Sequence, residues 1–360
     1  MSASTSPTSN KKIILVFSGT GAQGLAVIKA LVAPSKDGTP SPWAVRLLTR
    51  NPSHERVKAL LQNNPDIEVF KGSFLNFDEV LAALDGVYGA FVNTDGFTVG
   101  EEAETFAGLR IFELAKQVKT VKHYVWSNLD YSLKKGNYDP QYKVGHYDGK
   151  GRIAEWMTAQ PSEETGMTWS VLTTGPYMDM LNVLFAPVNK RADGTVVFAA
   201  PIGNGHVPMI ALSDLGWWAR YIFDNRAKTS GKDLEVASEI VSWPHLVETF
   251  TRVTGQPAAY VPLTLDAYWD TFTNPDIPVA NALSGGTTFR ENFSGFWAMW
   301  RDDIVKRDME WIKSVHPGTV SLEQWIRETR YVGARPTSSL LKNVEDGHGP
   351  SRNREKLAHL

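Results

Sequence analysis

The apolar run Ile13-Ile14-Leu15-Val16-Phe17 passes through one serine into Gly19-Thr20-Gly21-Ala22-Gln23-Gly24, and a helical pattern follows over Leu25–Leu31. Three glycines at G-x-G-x-x-G spacing let a chain turn tightly and bring backbone N–H groups against a diphosphate. The positive end of the following helix then meets the charge. The strand before and the helix after give the spacing its meaning: this is the first turn of a βα unit, so a dinucleotide is the expected ligand of Gly19, Thr20, Gly21, Ala22, Gln23 and Gly24.

The same alternation continues to about residue 172. Strands are predicted at Lys12–Phe17, Trp43–Leu48, Asp66–Phe70, Gly86–Val92, Lys122–Trp126 and Thr168–Leu172, with helices at Gln23–Val32, Ser53–Gln62, Phe77–Leu84, Glu101–Val118 and Gly151–Ala159. Connections of this kind give an α/β fold, a doubly wound parallel sheet of the Rossmann type. Beyond residue 175 the rhythm changes to loops rich in Gly, Pro and aromatics, with helices at Leu212–Phe223, Pro244–Thr254, Phe296–Lys313 and Leu322–Thr329. A strand at Lys232–Ala237 is expected to return to the sheet. The predicted organisation is an unstructured segment at 1–10, a nucleotide-binding domain at 11–175, a smaller α/β cap that binds substrate at 176–342, and a flexible polar tail at 343–360. Aromatics between Pro262 and Trp311, Trp297 and Trp300 among them, supply flat surface for an apolar pocket.

Composition excludes several chemistries. The chain has no cysteine, which removes thiolate metal sites, iron–sulfur clusters and cysteine nucleophiles. A net charge of −2 is not that of a nucleic-acid-coating surface. No His-Glu-x-x-His, Gly-x-Ser-x-Gly or Gly-x-x-x-x-Gly-Lys-Ser/Thr pattern occurs, so no metal site is expected. No apolar stretch reads as a signal peptide or membrane span, and the cytosol is the expected compartment. The alternative is the peroxisome, from Ala358-His359-Leu360, which loosely resembles a Ser-Lys-Leu address.

The end of the second strand normally meets the adenosine ribose, and an acid there selects NAD. Here the strand ends Leu47-Leu48-Thr49-Arg50-Asn51. An arginine can pair with a 2′-phosphate and stack on adenine, so NADP(H) is the expected cofactor and Arg50 its anchor.

These segments, with Ala90-Phe91-Val92-Asn93-Thr94, Tyr124-Val125-Trp126-Ser127, His146-Tyr147-Asp148-Gly149-Lys150, Thr173-Thr174-Gly175-Pro176-Tyr177-Met178 and Val207-Pro208 through Asp214-Leu215-Gly216, resemble the NmrA-like family of atypical short-chain dehydrogenases over roughly residues 11 to 265. The resemblance implies an extended Rossmann domain, a small C-terminal substrate domain and a preference for NADP(H). Family members include reductases and also non-catalytic sensors of nicotinamide redox state that regulate other proteins. Two departures stand out: Ser18 occupies the position of the family's first glycine, and Lys71-Gly72-Ser73-Phe74-Leu75 lacks an aspartate often found there.

Hydride transfer to a carbonyl leaves an alkoxide that needs a proton, commonly given by the tyrosine of a Tyr-x-x-x-Lys pair on one helix face. Lys150 matches the family's lysine, but His146 stands four residues before it. Either His146 or the adjacent Tyr147 is the expected acid, and Lys150 also suits the nicotinamide ribose. Ser127 ends the fifth strand where a hydroxyl can hold a carbonyl. Asn93, Thr94, Thr174, Gly175 and Tyr177 are expected around the nicotinamide. Tyr131-Ser132-Leu133-Lys134-Lys135 has the tyrosine–lysine spacing too, but reads as a loop, and His206 reads as a surface histidine. The leading expectation is an NADP-dependent reductase of a carbonyl, imine or conjugated double bond in a small apolar or aromatic substrate. The alternative is a non-catalytic NADP(H)-binding regulator with a protein partner.

Overall fold

The computed structural model describes residues 11–280, 286–333 and 349–360. Strands β1 (Lys12–Val16), β2 (Trp43–Thr49), β3 (Glu68–Lys71), β4 (Gly89–Val92), β5 (His123–Leu129) and β6 (Thr168–Thr174) alternate with helices α1 (Ala22–Val32), α2 (Glu55–Asn63), α3 (Phe77–Leu84), α4 (Gly96–Val99), α5 (Glu101–Val118), α6 (Ser132–Lys135) and α7 (Gly145–Thr158). The second half adds β7 (Asn189–Lys190), β8 (Val196–Ala200), β9 (Val207–Met209), α8 (Leu212–Asp224), α9 (Arg226–Thr229), β10 (Lys232–Glu235), β11 (Glu239–Val241), α10 (Trp243–Thr254), β12 (Ala258–Pro262), α11 (Leu265–Trp269), α12 (Phe289–Arg301), α13 (Met309–Val315) and α14 (Leu322–Thr329). A short helix at Arg354–Ala358 follows.

The seven-stranded parallel sheet runs β10-β6-β5-β4-β1-β2-β3. Its order reverses between β1 and β4, so a crevice opens at the carboxyl ends of those strands, where open α/β sheets bind ligands. Both faces of β1 are buried, as a parallel strand covered by helices requires. Ile14 and Val16 pack with α1, Trp43 and Trp218, while Leu15 and Phe17 pack with Leu48, Val92 and Trp126. The helix over Leu212–Asp224, expected in the cap, instead completes this domain: a Cβ on Gly216 would lie 2.5 Å from the Ala26 carbonyl oxygen, so α8 and α1 cross at backbone contact. The cap proper has its own core around Trp243, Phe250, Phe296, Trp297, Trp300 and Trp325, with a three-stranded sheet β12-β8-β7 and the pair β11-β9.

Three expectations change. The helix anticipated at Gly151–Ala159 begins at Gly145, because Asp148 accepts hydrogen bonds from the backbone N–H of Val144 (2.8 Å) and Leu133 (2.9 Å) and offsets the poor helix propensity of Gly145, Gly149 and Gly151. The single helix anticipated at Phe296–Lys313 is two, α12 and α13. Between them Asp303 turns with φ 51°, and Arg307 enters the interior with a fully buried side chain. Its guanidinium grips Asp130 through Nη2–Oδ2 at 2.7 Å and Nη1–Oδ1 at 3.0 Å and donates to the carbonyls of Val236 and Thr174. Burial alone would raise the Asp130 pKa, but the charges of Arg307 and Lys135 hold it below the usual carboxylate range.

Third, the tail anticipated as flexible is docked over residues 349–360, while 343–348, like 1–10, lie outside the described residues. Thr273 N–H donates to Ser351 O (2.9 Å), Asn353 N–H to Thr271 O (2.8 Å), and Leu357 is buried. A polar composition hid this because the anchoring surface, Tyr268 to Thr273, lies some eighty residues away in sequence. Among the described residues no helix is long and apolar enough to cross a membrane.

Candidate active site

A single cleft of about 1210 Å³ runs from the carboxyl ends of β1 and β2, past α7, to the aromatic face of the cap. Its first end is the glycine loop. A Cβ on Gly19 would meet Leu47 Cδ1 at 2.1 Å, and one on Gly24 would meet Gly19 Cα at 2.4 Å and the Ser18 carbonyl oxygen at 2.5 Å. These two glycines therefore seat α1 on the strands. Thr20, Gly21, Ala22 and Gln23 form the cleft wall itself. Helix α1 starts at Gly21 without a side-chain cap, which leaves the positive end of the helix facing the cleft. The cradle fits a dinucleotide pyrophosphate. Ser18 takes the left-handed turn at φ 50° that the family's glycine would make freely, and its hydroxyl donates to Asn93 O at 3.0 Å.

Arg50, Asn51 and His54 line the cleft beside the loop, and Arg50 is exposed without an ion pair among the described residues. In the segment after β3, Gly72 and Phe74 line the cleft. Phe74 was not anticipated from sequence.

The middle of the cleft holds Lys150, Asn93, Thr94, Ser127, Tyr177, His146 and Tyr147. Lys150 Nζ lies 2.9 Å from Thr94 O, 3.1 Å from Thr94 Oγ1, 3.4 Å from Asn93 Oδ1 and 3.0 Å from Glu104 Oε1. Glu104 is fully buried, accepts from the Thr94 hydroxyl at 2.7 Å, and keeps Oε2 without a partner against Gly96, where a Cβ would lie 2.4 Å away. Sequence reasoning missed it: a glutamate in the first turn of a long helix reads as a solvated charge.

Ser127 donates to Gln23 Oε1 at 2.6 Å, and Gln23 Nε2 donates to the Tyr177 hydroxyl at 3.0 Å. The glutamine of the glycine loop thus spans from β5 to the segment after β6. Burial pushes the Tyr177 hydroxyl up to about 12. Gly175 lines the cleft. Thr174 does not: its hydroxyl is enclosed without a partner, and its carbonyl is held by Arg307.

The His146 ring sits among Phe97 (4.6 Å between centroids), Tyr147 (4.9 Å) and Phe293 (5.5 Å), with Nδ1 against the Asn292 amide. Burial lowers its pKa to about 4, so near neutral pH it is an uncharged imidazole that can donate one N–H. Burial likewise raises the Tyr147 hydroxyl well above the ordinary value.

The far end is aromatic, through most of the residues expected between Pro262 and Trp311 but not through Trp297 and Trp300. Trp297 and Trp300 belong to the cap core, whereas Tyr268, Trp269, Phe272, Phe289, Phe293 and Phe296 line the cleft. Residues 349–352 and Leu357 complete the rim. Ser132–Lys135 forms one helical turn rather than a loop; Tyr131 accepts from Arg152, Lys135 pairs with Asp130 and Glu235, and neither lines the cleft. His206 pairs with Asp303 outside it.

Strand order, glycine-loop packing and the crevice at the switch point define a Rossmann-type dinucleotide-binding fold with an appended cap. The NmrA-like family model matches residues 10–315, and the chain belongs to that family. It is 28% identical over 269 residues to the NmrA-like family domain-containing oxidoreductase malD of Malbranchea aurantiaca, covering 70% of this chain and 76% of the relative. Among solved structures it resembles NmrA, a negative transcriptional regulator, in complex with NADP (TM-score 0.68, 20% identity, 89% of this chain and 95% of that one). It also resembles an NADPH-dependent quinone oxidoreductase of Escherichia coli complexed with NADPH (TM-score 0.65, 17% identity, 88% and 100%).

Proposed function

We propose that this chain is an NADP(H)-dependent oxidoreductase that reduces a carbonyl, imine or conjugated double bond in a small aromatic or apolar substrate. The observation that carries this reading is the continuity of the cleft: a dinucleotide cradle and an aromatic chamber meet at Lys150, His146 and Tyr147. The names of the relatives, an oxidoreductase and an NADPH-dependent quinone oxidoreductase, support it.

Bound NADPH would supply the hydride. In this reading Thr20 to Gln23 and the start of α1 hold the pyrophosphate, and Arg50 holds the 2′-phosphate. Glu104 and Thr94 fix Lys150 beside the ribose position. His146, kept neutral by burial, donates an N–H to the substrate heteroatom as a neutral imidazole can, with the Tyr147 hydroxyl as the other donor. Ser127 holds Gln23 in place; its own proton is already committed. The phenyl rings of the cap exclude water and orient the substrate.

A second reading, a redox-sensing regulator acting through a protein partner, is favoured by the histidine at 146 and by the likeness to a transcriptional regulator. NADPH and NADH titrations followed by a panel of aldehydes, ketones, imines, quinones and enones separate the two. Turnover that falls at least tenfold in His146→Phe or Tyr147→Phe supports the reductase and names its donor, whereas tight NADPH binding without turnover on any substrate overturns it in favour of the sensor. Arg50→Ala is expected to weaken NADPH roughly tenfold or more and leave NADH unchanged, since a charge-assisted hydrogen bond is worth about 1.5–3 kcal/mol. The proposed compartment is the cytosol; imaging of an N-terminally tagged chain tests it against peroxisomal delivery through Ala358-His359-Leu360.

A further inference from the structure

The aromatic end of the cleft carries a charge that no carboxylate among the described residues balances. Arg352 lies in the cleft wall with its guanidinium 3.8 Å from the Phe272 ring centroid and 5.2 Å from that of Tyr268. One of its five N–H groups is used: Nη1 donates to Thr271 Oγ1 at 2.8 Å. It has no carboxylate partner among the described residues. Arg354, in the same wall, has none either.

Two other charges of the cleft are matched or spent. Lys150 is matched by Glu104. Asp95, the one acid in the wall among the described residues, is spent on α4, accepting from Phe97 N–H at 3.1 Å and the Thr98 hydroxyl at 2.6 Å. Of the acids on the same side, Asp270 pairs with Lys356 and Asp276 with Arg290. Arg50 stands at the opposite end, beside the glycine loop.

A guanidinium held over an aromatic ring keeps N–H groups to offer, and these match a carboxylate in two parallel N–H···O bonds. Partial enclosure by phenyl rings weakens screening by water, so a counter-ion in the cleft is worth more there than on an open surface. We propose that Arg352 is the anchor for a carboxylate carried by the substrate, so that the ligand of the aromatic chamber is an aromatic acid. This rests on the reading of that chamber as the substrate site. The same chemistry could be met by a phosphate of the cofactor, and the placement of Arg352 against Tyr268 and Phe272, on the cap rather than by the glycine loop, assigns it to the substrate.

The test uses indole-3-propionate and its neutral amide as probes, titrated calorimetrically into the full chain saturated with NADPH. The acid is expected to bind at least tenfold more tightly than the amide. Arg352→Gln abolishes that preference, Arg352→Lys keeps part of it, and both leave NADPH affinity within twofold of wild type; melting temperatures check that the variants remain folded. Equal binding of acid and amide by wild type overturns the anchor while leaving the aromatic chamber intact. Failure of both probes to bind removes the chamber reading and the anchor with it. A preference that survives in Arg352→Gln, or a tenfold loss of NADPH affinity in that variant, also overturns the assignment, the latter by moving Arg352 to the cofactor.

Discussion

The two ends of the cleft are built by opposite strategies. At the glycine-loop end, four consecutive residues, Thr20 to Gln23, and the terminus of β2 make the wall. At the substrate end, side chains converge from Phe97, His146, the segment after β6, α11, α12 and the docked residues 349–358. The first is a local solution to a fixed problem, binding a diphosphate. The second is a composite, so any one of its residues can change without remaking the fold.

The contrast can be broken most sharply at Gly24. A methyl there meets backbone atoms of Gly19 and Ser18 that cannot rotate away, so Gly24→Ala should displace the loop and weaken NADPH about a hundredfold or more, as loss of two charge-assisted hydrogen bonds would. Fluorescence titration measures it; near-wild-type NADPH affinity would mean that the loop is not the cradle. Phe293→Ala should act on the other end alone. Its ring stacks on Phe289 at 5.6 Å and on the His146 cage, so the loss should cost about 3 kcal/mol of stability and raise substrate KM while leaving NADPH affinity unchanged.

Acid should report on the cage around His146. His146 has a folded pKa of about 4 against 6.5 unfolded, so no stability is lost above pH 6.5. As pH falls below 6.5 the unfolded chain takes up the proton first, and the penalty grows to about 2 kcal/mol by pH 5, levelling off below pH 4. His123, at the start of β5 and lowered by burial to about 3, adds a similar slope. Denaturant melts of His146→Gln between pH 7 and 5 should remove the first contribution and keep the second; an unchanged pH slope would show that His146 is not buried in neutral form.

The smallest effect is expected at Ser18→Gly. Relief of the left-handed turn, about 1 kcal/mol, is offset by loss of the hydroxyl bond to Asn93, also about 1 kcal/mol, so the melting temperature should scarcely move. A large drop would make the Ser18–Asn93 bond a structural tie across β1 and β4.

What could be read from the sequence follows the same division. The glycine loop, the Arg50 strand end and the five βα units are local patterns, and strands and helices fall close to where periodicity places them. Lys150, and with it His146 and Tyr147, were reached through the resemblance of residues 146–150 to the family. Glu104 was not, because its burial depends on Lys150 and Gly96 reaching it from other elements. Nor was the role of Gln23, whose partners lie 104 and 154 residues away. Trp297 and Trp300 were expected to line the pocket and lie in the cap core instead, because composition cannot say which face of α12 looks inward to the core and which to the cleft. Arg352 was invisible within a stretch whose composition is that of a solvated tail.

The buried grip of Arg307 on Asp130 has a consequence for how the molecule is made. The two residues are 177 positions apart, and the arginine also holds carbonyls of Thr174 and Val236. During synthesis the sheet edge formed by β5, β6 and β10 must wait for Arg307 to emerge before the Asp130 carboxylate gains its strongest partner. Closure of so long a loop comes late, because its entropy is lost before the contact is gained. Assembly of the parallel sheet and seating of the cap therefore converge on one final event, and a chain truncated before Arg307 should leave that edge open to solvent and prone to association.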